Sequence, residues 1–372
     1  MSGVPRSHFI PGTIWINDAD GRLSPVNRGD PRWAAGVDAD EPVVTQVDDG
    51  TPAEPDGRGR IATSSASQPR MVARMLHELG AEPGHRVLEI GTATGYNCAL
   101  LCHGLGDEAV ASVEIDAELA AAARANLLTL GYAPTLLVGD GTLGHPAGAP
   151  YDRVLSTVAA KRVPGAWVAQ LRPGGVIVTP WGSDFGGHWL LRLEADASGR
   201  AHGRIVGEAA FMWLRDQRSH TGTWSDHIDF DVPLRAATTA RDPRVVIAEE
   251  GGGLAVALGT LVSDLYRVVA WERDAQGRRA QSGACTVWVY DARGSWAAVD
   301  YAPDTAAFPV GTHGPRDLWG EVEAAFTAWE AAGRPDRDRL GVTATAEGTQ
   351  HMWVDGPGRR LPRESGGAAS AA

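Results

Sequence analysis

The chain has 372 residues, 43% of them hydrophobic, which is enough apolar material for two cores or one large one. Its formal charge of −12 excludes a strongly basic face, so neither nucleic acid nor an anionic membrane is expected as a partner. Three cysteines, Cys98, Cys102 and Cys285, give no disulfide framework and fit a reducing, cytoplasmic compartment.

Residues 1–60 are rich in proline, glycine and aspartate, with apolar islands at Phe9-Ile10 and Ile14-Trp15-Ile16. They read as an irregular arm packed on a core through a few anchors, with 50–60 as an exposed loop. No basic leader or apolar signal core opens the chain, and no stretch approaches the roughly 18 apolar residues of a membrane span. From Gln68, Met71, Val72, Met75, Leu76 and Leu79 recur at helical spacing up to a stop at Gly80.

Strand and helix patterns then alternate. Strands are predicted at 86–90, 109–115, 135–138, 151–157 and 175–179, and helices at 94–105, 117–130 and 164–171. This order implies a doubly wound, mostly parallel sheet in an α/β domain, 61–215. Strands at 188–194 and 204–210 follow as an antiparallel pair. A second, smaller α+β domain is expected over 216–357, with strands at 286–291, 296–301, 341–345 and 351–355 and a helix at 318–332. The segment 358–372 reads as a disordered tail.

The first βα turn, Glu89-Ile90-Gly91-Thr92-Ala93-Thr94-Gly95-Tyr96, carries the chemistry. Glycines at a strand's carboxyl end let the backbone approach a nucleotide-like ligand, and an acid on the next strand, in Val113-Glu114-Ile115-Asp116, can accept bonds from ribose hydroxyls. Dinucleotides and S-adenosylmethionine both suit this arrangement. A dinucleotide wants G-x-G-x-x-G, whereas here the spacing is G-x-x-x-G with Ala93 at the middle position. Asp140, in Gly139-Asp140-Gly141, either reaches the adenine rim or simply makes an Asp-Gly turn. Ser67, in Ser64-Ser65-Ala66-Ser67-Gln68-Pro69, either caps the helix that follows or lines a substrate pocket. Cys98 and Cys102 lack further ligands at metal-binding spacing, so no metal is expected. Seven of the thirteen tryptophans lie beyond Arg215, mostly as core, with one or two available as an aromatic wall for a peptide.

The run Pro83-Gly84-His85-Arg86-Val87-Leu88-Glu89-Ile90-Gly91-Thr92-Ala93-Thr94-Gly95-Tyr96-Asn97 resembles the first motif of the protein-L-isoaspartate O-methyltransferase family. Gly139-Asp140-Gly141, Ala149-Pro150-Tyr151-Asp152, Leu171-Arg172-Pro173-Gly174-Gly175 and the arm's His8-Phe9-Ile10-Pro11-Gly12-Thr13-Ile14-Trp15 continue the likeness over about 5–215. The resemblance implies a Rossmann-like class I methyltransferase fold and S-adenosylmethionine as cofactor, leaving S-adenosylhomocysteine. Glu89, Gly91, Thr92, Ala93, Gly95, Glu114, Ile115, Asp140 and Gly141 would hold the cofactor. Ser67 matches the family's serine at the methyl-transfer site, which makes it the catalytic candidate, with Ser65, Ser67 and Gln68 toward the substrate.

Three departures stand out. Ala93 replaces a usual glycine and is expected to take an ordinary L-residue conformation. Glu89 stands where aspartate is common. The extension beyond Asp216 resembles actinobacterial relatives that esterify aspartate in constrained ribosomal peptides, giving aspartimide or isoaspartate. Tailoring of such a peptide is therefore the expected role, with repair of isoaspartyl proteins as the alternative. An inactive peptide-binding scaffold, supported only by Ala93, is the remaining possibility.

Overall fold

A computed structural model describes residues 3–219, 224–247 and 252–362. The chain forms two compact units that interleave in sequence. The first comprises 1–181, 189–217 and 343–350, and the second 182–188, 218–342 and 351–372. The sequence pattern implies a single break near 215. The structure instead returns 343–350 to the first unit.

The first unit opens with β1 (Thr13–Asn17), β2 (Leu23–Asn27), α1 (Pro31–Asp38), β3 (Val43–Val47) and β4 (Ala62–Ala66). These strands make an antiparallel sheet in the order β2-β1-β3-β4. The expected irregular arm is thus a small sheet of its own. Of its apolar islands, Phe9-Ile10 ends a short helical turn and Ile14 is the inward position of β1, and Ile10, Ile14, Val26, Val37, Val43 and Ala66 close a separate core. Asp30 caps α1 by accepting from Arg32 N, with Pro31 in the first helical position. The Arg6 guanidinium ties the arm together by donating to the carbonyls of Val37, Glu41 and Ser67 at 2.9, 2.7 and 3.3 Å.

After α2 (Pro69–Leu79) come β5 (Val87–Ile90), α3 (Tyr96–Leu105), β6 (Val110–Glu114), α4 (Ala117–Thr129), β7 (Thr135–Val138), β8 (Tyr151–Ser156), α5 (Gly165–Ala169) and β9 (Leu171–Gly182). β10 (His188–Ala195) and β11 (Arg200–Glu208) complete the series. Seven neighbouring strands of a nine-stranded sheet run in the order β11-β10-β9-β8-β5-β6-β7, parallel from β9 to β7 and antiparallel between β10 and β11. This is a doubly wound α/β sheet. From β5 the chain steps to β6 and β7, then crosses back to β8 on the other side. The carboxyl end of β5 is therefore the switch point where such sheets bind ligands. Cys98 and Cys102, both on α3, are buried in the core with Leu100, Leu101, Val110 and Leu127.

The second unit holds β12 (Arg235–Thr239), α6 (Gly253–Leu261), β13 (Tyr266–Trp271), β14 (Cys285–Tyr290), β15 (Trp296–Tyr301), β16 (Phe308–His313) and α7 (Leu318–Ala331). Its antiparallel sheet runs β12-β16-β15-β14-β13. Ile228, Tyr290 and Trp296 form a buried cluster with Trp224, Tyr266 and Trp288 around it. Much of the aromatic excess of this region is therefore packing. A last hairpin is formed by β17 (Leu340–Thr345) and β18 (Gln350–Val354). Of the tail expected over 358–372, residues 363–372 lie outside the described residues, while Arg360 bridges to Trp353. Among the described residues no helix is long and apolar enough to cross a membrane.

Candidate active site

The site is built from the turn that ends β5. Gly91 and Gly95 sit at φ of +89° and +94°, which glycine adopts without steric cost. A Cβ on Gly91 would lie 2.7 Å from Thr157 Oγ1, so the turn also needs the missing side chain. Ala93 is at φ +49°. The expectation of an ordinary L-residue conformation there is corrected: the alanine is held left-handed. Its amide donates to Glu114 Oε2 at 2.8 Å, a charge-assisted bond that offsets the strain.

Glu114, at the end of β6, is 6% exposed. Besides Ala93, it accepts from the Asp116 amide through Oε1 at 3.1 Å. Burial pushes its pKa up, while the amides of Ala93 and Asp116 oppose the shift. Each oxygen carries one bond and keeps one lone pair, so the carboxylate can still accept two hydroxyl donors. Ile115 beside it is 40% exposed, an apolar surface suited to a flat base. Gly139 N donates to Glu114 O at 2.8 Å, which brings the end of β7 alongside. Gly141 packs on Ile90, where a Cβ would come within 2.6 Å of Cγ2. The Asp140 side chain accepts from Thr142 N at 2.9 Å and is exposed, so the Asp-Gly turn forms and still leaves oxygens available.

Glu89 has a different place. It is fully buried, accepting from Asn97 Nδ2 at 2.6 Å and from Ser112 Oγ at 2.5 Å. Ser112 in turn is 2.6 Å from Thr92 Oγ1. Desolvation pushes Glu89 up to about 7, against the Ser112 and Asn97 hydrogen bonds. Its carboxylate braces Thr92 and the first turn of α3 from beneath, inside the protein.

Ser65 belongs to β4 of the arm sheet, and Ser67 follows one residue past its end. Ser64 and Ala66 are buried, and Ser64 lies 3.2 Å from Thr45 Oγ1, while Thr63, Ser65 and Ser67 alternate onto the half-exposed face. The helix cap falls on Gln68 and no side chain caps it, so Ser67 is not the N-cap of α2. The hydroxyls of Ser65 and Ser67 have no partner among the described residues. Gln68 donates to Asp40 O at 2.7 Å, which anchors the segment.

Sequence reasoning missed how these groups join. Gln46 Nε2, on β3, donates to Asp116 Oδ2 at 2.9 Å. Asp116 also caps α4 through Oδ1. Beyond β11, Leu214 N donates to Ala159 O at 2.8 Å, Arg215 Nη2 to Asp49 Oδ1 at 3.0 Å, and Gln217 Oε1 accepts from Lys161 N at 2.8 Å. Asp216 is pushed up by burial and by the charge of Asp140, so this segment lies beside the end of β7. Only the Asp116 cap has a sequence signal, an aspartate at the start of a helical run. Gln46 and Arg215 have none.

The turn, the two-sided capacity of Glu114, the close backbone at Gly91 and Gly141 and the open face of Ile115 together fit an adenosyl cofactor. The chain is similar to proteins of one family. The family model described as protein-L-isoaspartate(D-aspartate) O-methyltransferase matches residues 58–219. A protein-L-isoaspartate O-methyltransferase of Anaeromyxobacter dehalogenans is 50% identical over 150 residues, 40% of this chain and 71% of its own. One from Methylorubrum extorquens is 42% identical over 148 residues, covering 40% and 64%, and one from Ignicoccus hospitalis 46% identical over 121 residues, covering 32% and 57%. This chain thus spans between 57% and 71% of these relatives' lengths. A solved structure of a protein-L-isoaspartate O-methyltransferase overlays 86% of this chain and 88% of its own, at 21% identity and a TM-score of 0.49. With half of the aligned residues identical to a relative covered over more than two thirds of its length, the chain belongs to the protein-L-isoaspartate O-methyltransferase family.

Proposed function

We propose that the protein is an S-adenosylmethionine-dependent carboxyl O-methyltransferase that esterifies isoaspartyl residues of proteins or peptides. The observation that carries the cofactor assignment is Glu114, buried and fixed by two amides yet with one lone pair free on each oxygen. When bound, the cofactor supplies an electrophilic methyl group on a positively charged sulfur. The acceptor carboxylate, with a pKa of about 4, is already ionised at neutral pH, so the protein needs no strong base. Its work is to orient the acceptor and exclude water. The Ser67 hydroxyl, uncapped and unpartnered, donates to one carboxylate oxygen and leaves the other to attack. Ser65, two residues back on the same face, reaches the neighbouring part of the peptide. A neutral donor suits this task better than a tight cationic clamp, which would stabilise the ground state. Glu89 is assigned a positioning role through Ser112, Thr92 and Asn97. Three cysteines that are all free and buried support a reducing, cytoplasmic setting.

A second reading, tailoring of an aspartate in a constrained ribosomal peptide toward aspartimide, has one observation in its favour. The family match ends at 219, and most of the second compact unit lies beyond it. The test is to incubate the protein with labelled S-adenosylmethionine and either an isoaspartyl peptide or a cyclised aspartyl peptide, and to follow mass. Label on the isoaspartyl peptide supports the first reading. Ester formation and methanol loss on the cyclised peptide alone would replace it with the second, and transfer to neither would sink both.

A further inference from the structure

A hydrogen-bond chain joins the strand that carries the serines to the acid assigned to the cofactor. Arg215 Nη2 donates to Asp49 Oδ1 at 3.0 Å, and Asp49 N to Thr63 Oγ1 at 3.1 Å. Thr63 Oγ1 donates to Gln46 Oε1 at 2.9 Å, and Gln46 Nε2 to Asp116 Oδ2 at 2.9 Å. Asp116 N donates to Glu114 Oε1 at 3.1 Å, and Glu114 Oε2 accepts from Ala93 N at 2.8 Å. Gln46 is the link that both receives and gives, and it is 8% exposed. Its amide has one orientation here: the oxygen faces the Thr63 hydroxyl and the nitrogen faces a carboxylate. Asp116 divides its oxygens, one toward Gln46 and the other toward the first amides of α4.

We propose that Gln46 is a positioning residue that registers β4, which carries Ser65 and leads into Ser67, against the cofactor turn, so that occupancy at Glu114 stiffens β4 and aligns Ser67. The proposal rests on the assignment of Glu114 to the cofactor. It adds a coupling between donor and acceptor sites, carried by one side-chain pair. Such a coupling is reciprocal: whatever the cofactor does to β4, a peptide bound along β4 does to cofactor affinity.

The polarity of the pair makes a specific test. In Gln46→Glu two carboxylates face each other and the link breaks. In Asp116→Asn the introduced amide keeps an oxygen for the helix cap and turns its nitrogen to Gln46, whose own amide keeps the link only by turning over, at the cost of the acceptor it offers Thr63. Together they restore it with the bond reversed. The new amide at position 116 donates to the new carboxylate at position 46, while Thr63 still donates to the other oxygen of that carboxylate. Hydrogen–deuterium exchange of the full chain with and without S-adenosylhomocysteine reads the coupling without any turnover. Residues 62–67 should exchange about fivefold or more slowly with the ligand in wild type and in the double variant, and change less than about twofold in Gln46→Glu. Methyl transfer to an isoaspartyl peptide should fall about tenfold in kcat for Gln46→Glu and recover in the double, with ligand affinity by calorimetry shifting far less. If the ligand binds and 62–67 do not respond in wild type, or if the double variant is no better than Gln46→Glu, the coupling is wrong while the cofactor assignment stands. If S-adenosylhomocysteine does not bind wild type at all, the cofactor assignment falls and the coupling with it.

Discussion

Two glutamates one strand apart meet opposite fates. Glu89 and Glu114 lie near the ends of neighbouring strands in the same sheet, and both are raised by burial. Glu89 is enclosed among Asn97, Ser112 and Thr92, whereas Glu114 is bonded by backbone amides at the turn and is the acid proposed for the cofactor. Replacing Glu114 with alanine should therefore weaken S-adenosylhomocysteine binding, measured by calorimetry, by about tenfold or more. An unaltered affinity would contradict its role. Ser67→Ala should lower kcat about ten- to a hundredfold, the loss of a charge-assisted hydrogen bond of roughly 1.5–3 kcal/mol, with cofactor affinity nearly unchanged. Glu89 makes a pH prediction. Its folded pKa of about 7 exceeds the ordinary 4.5, so the unfolded chain gives up this proton first. Its contribution to stability is intact below about 4.5 and declines as pH rises toward 7, by about 3 kcal/mol in all. Glu89→Gln removes that decline. The stability gap between variant and wild type, from denaturation at pH 5 and pH 8, should widen in the variant's favour at the higher pH; a constant gap would place the titration elsewhere.

At the level of elements, the turn from β5 to α3 depends on backbone shape more than on side chains. Gly91→Ala would add strain at φ +89° and a contact with Thr157 Oγ1, so cofactor binding should be lost and the melting temperature should drop. Near wild-type binding in that variant would mean the turn adapts. Ala93 shows where sequence logic stopped short. A lone alanine suggests an ordinary conformation, yet a buried carboxylate across the turn holds its amide and selects the left-handed one. The same limit applies to α2. Ser-x-Pro reads locally as a capped helix start, but tertiary ties to Arg6 and Asp40 extend the chain through Ser67 and move the boundary to Gln68. The βαβ strands were legible because each is a short β-branched run bounded by glycine or acid. The arm's strands were not, because five-residue segments broken by proline and aspartate carry too little alternation to register.

The whole chain is two units interleaved in sequence, and this has an experimental consequence. Residues 343–350 belong to the first unit, where Gln350 Oε1 accepts from Val163 N at 3.1 Å and Ala346 N donates to Gly199 O at 3.1 Å. The family match ends at 219, yet a chain cut after 217 loses these bonds. Such a truncation should melt at a clearly lower temperature than the full chain, and adding a peptide of 340–355 should recover little, since the hairpin's ordering cost is no longer prepaid by connection. A truncated chain with an unchanged melting temperature would show that the returning segment contributes nothing.

The linear order of residues by itself determined the parallel sheet, its glycine turn and the acid two elements later, because each depends on neighbours within a few positions; Ser67 became a candidate only through the family resemblance. Tertiary structure decided which acid bonds the Ala93 amide and which supports the turn from inside, the left-handed Ala93, the arm sheet, and the Gln46–Asp116 link. The bonds that hold Ala93 and Asp116 join residues 21 and 70 positions apart in the chain, and their geometry exists only once the sheets have formed.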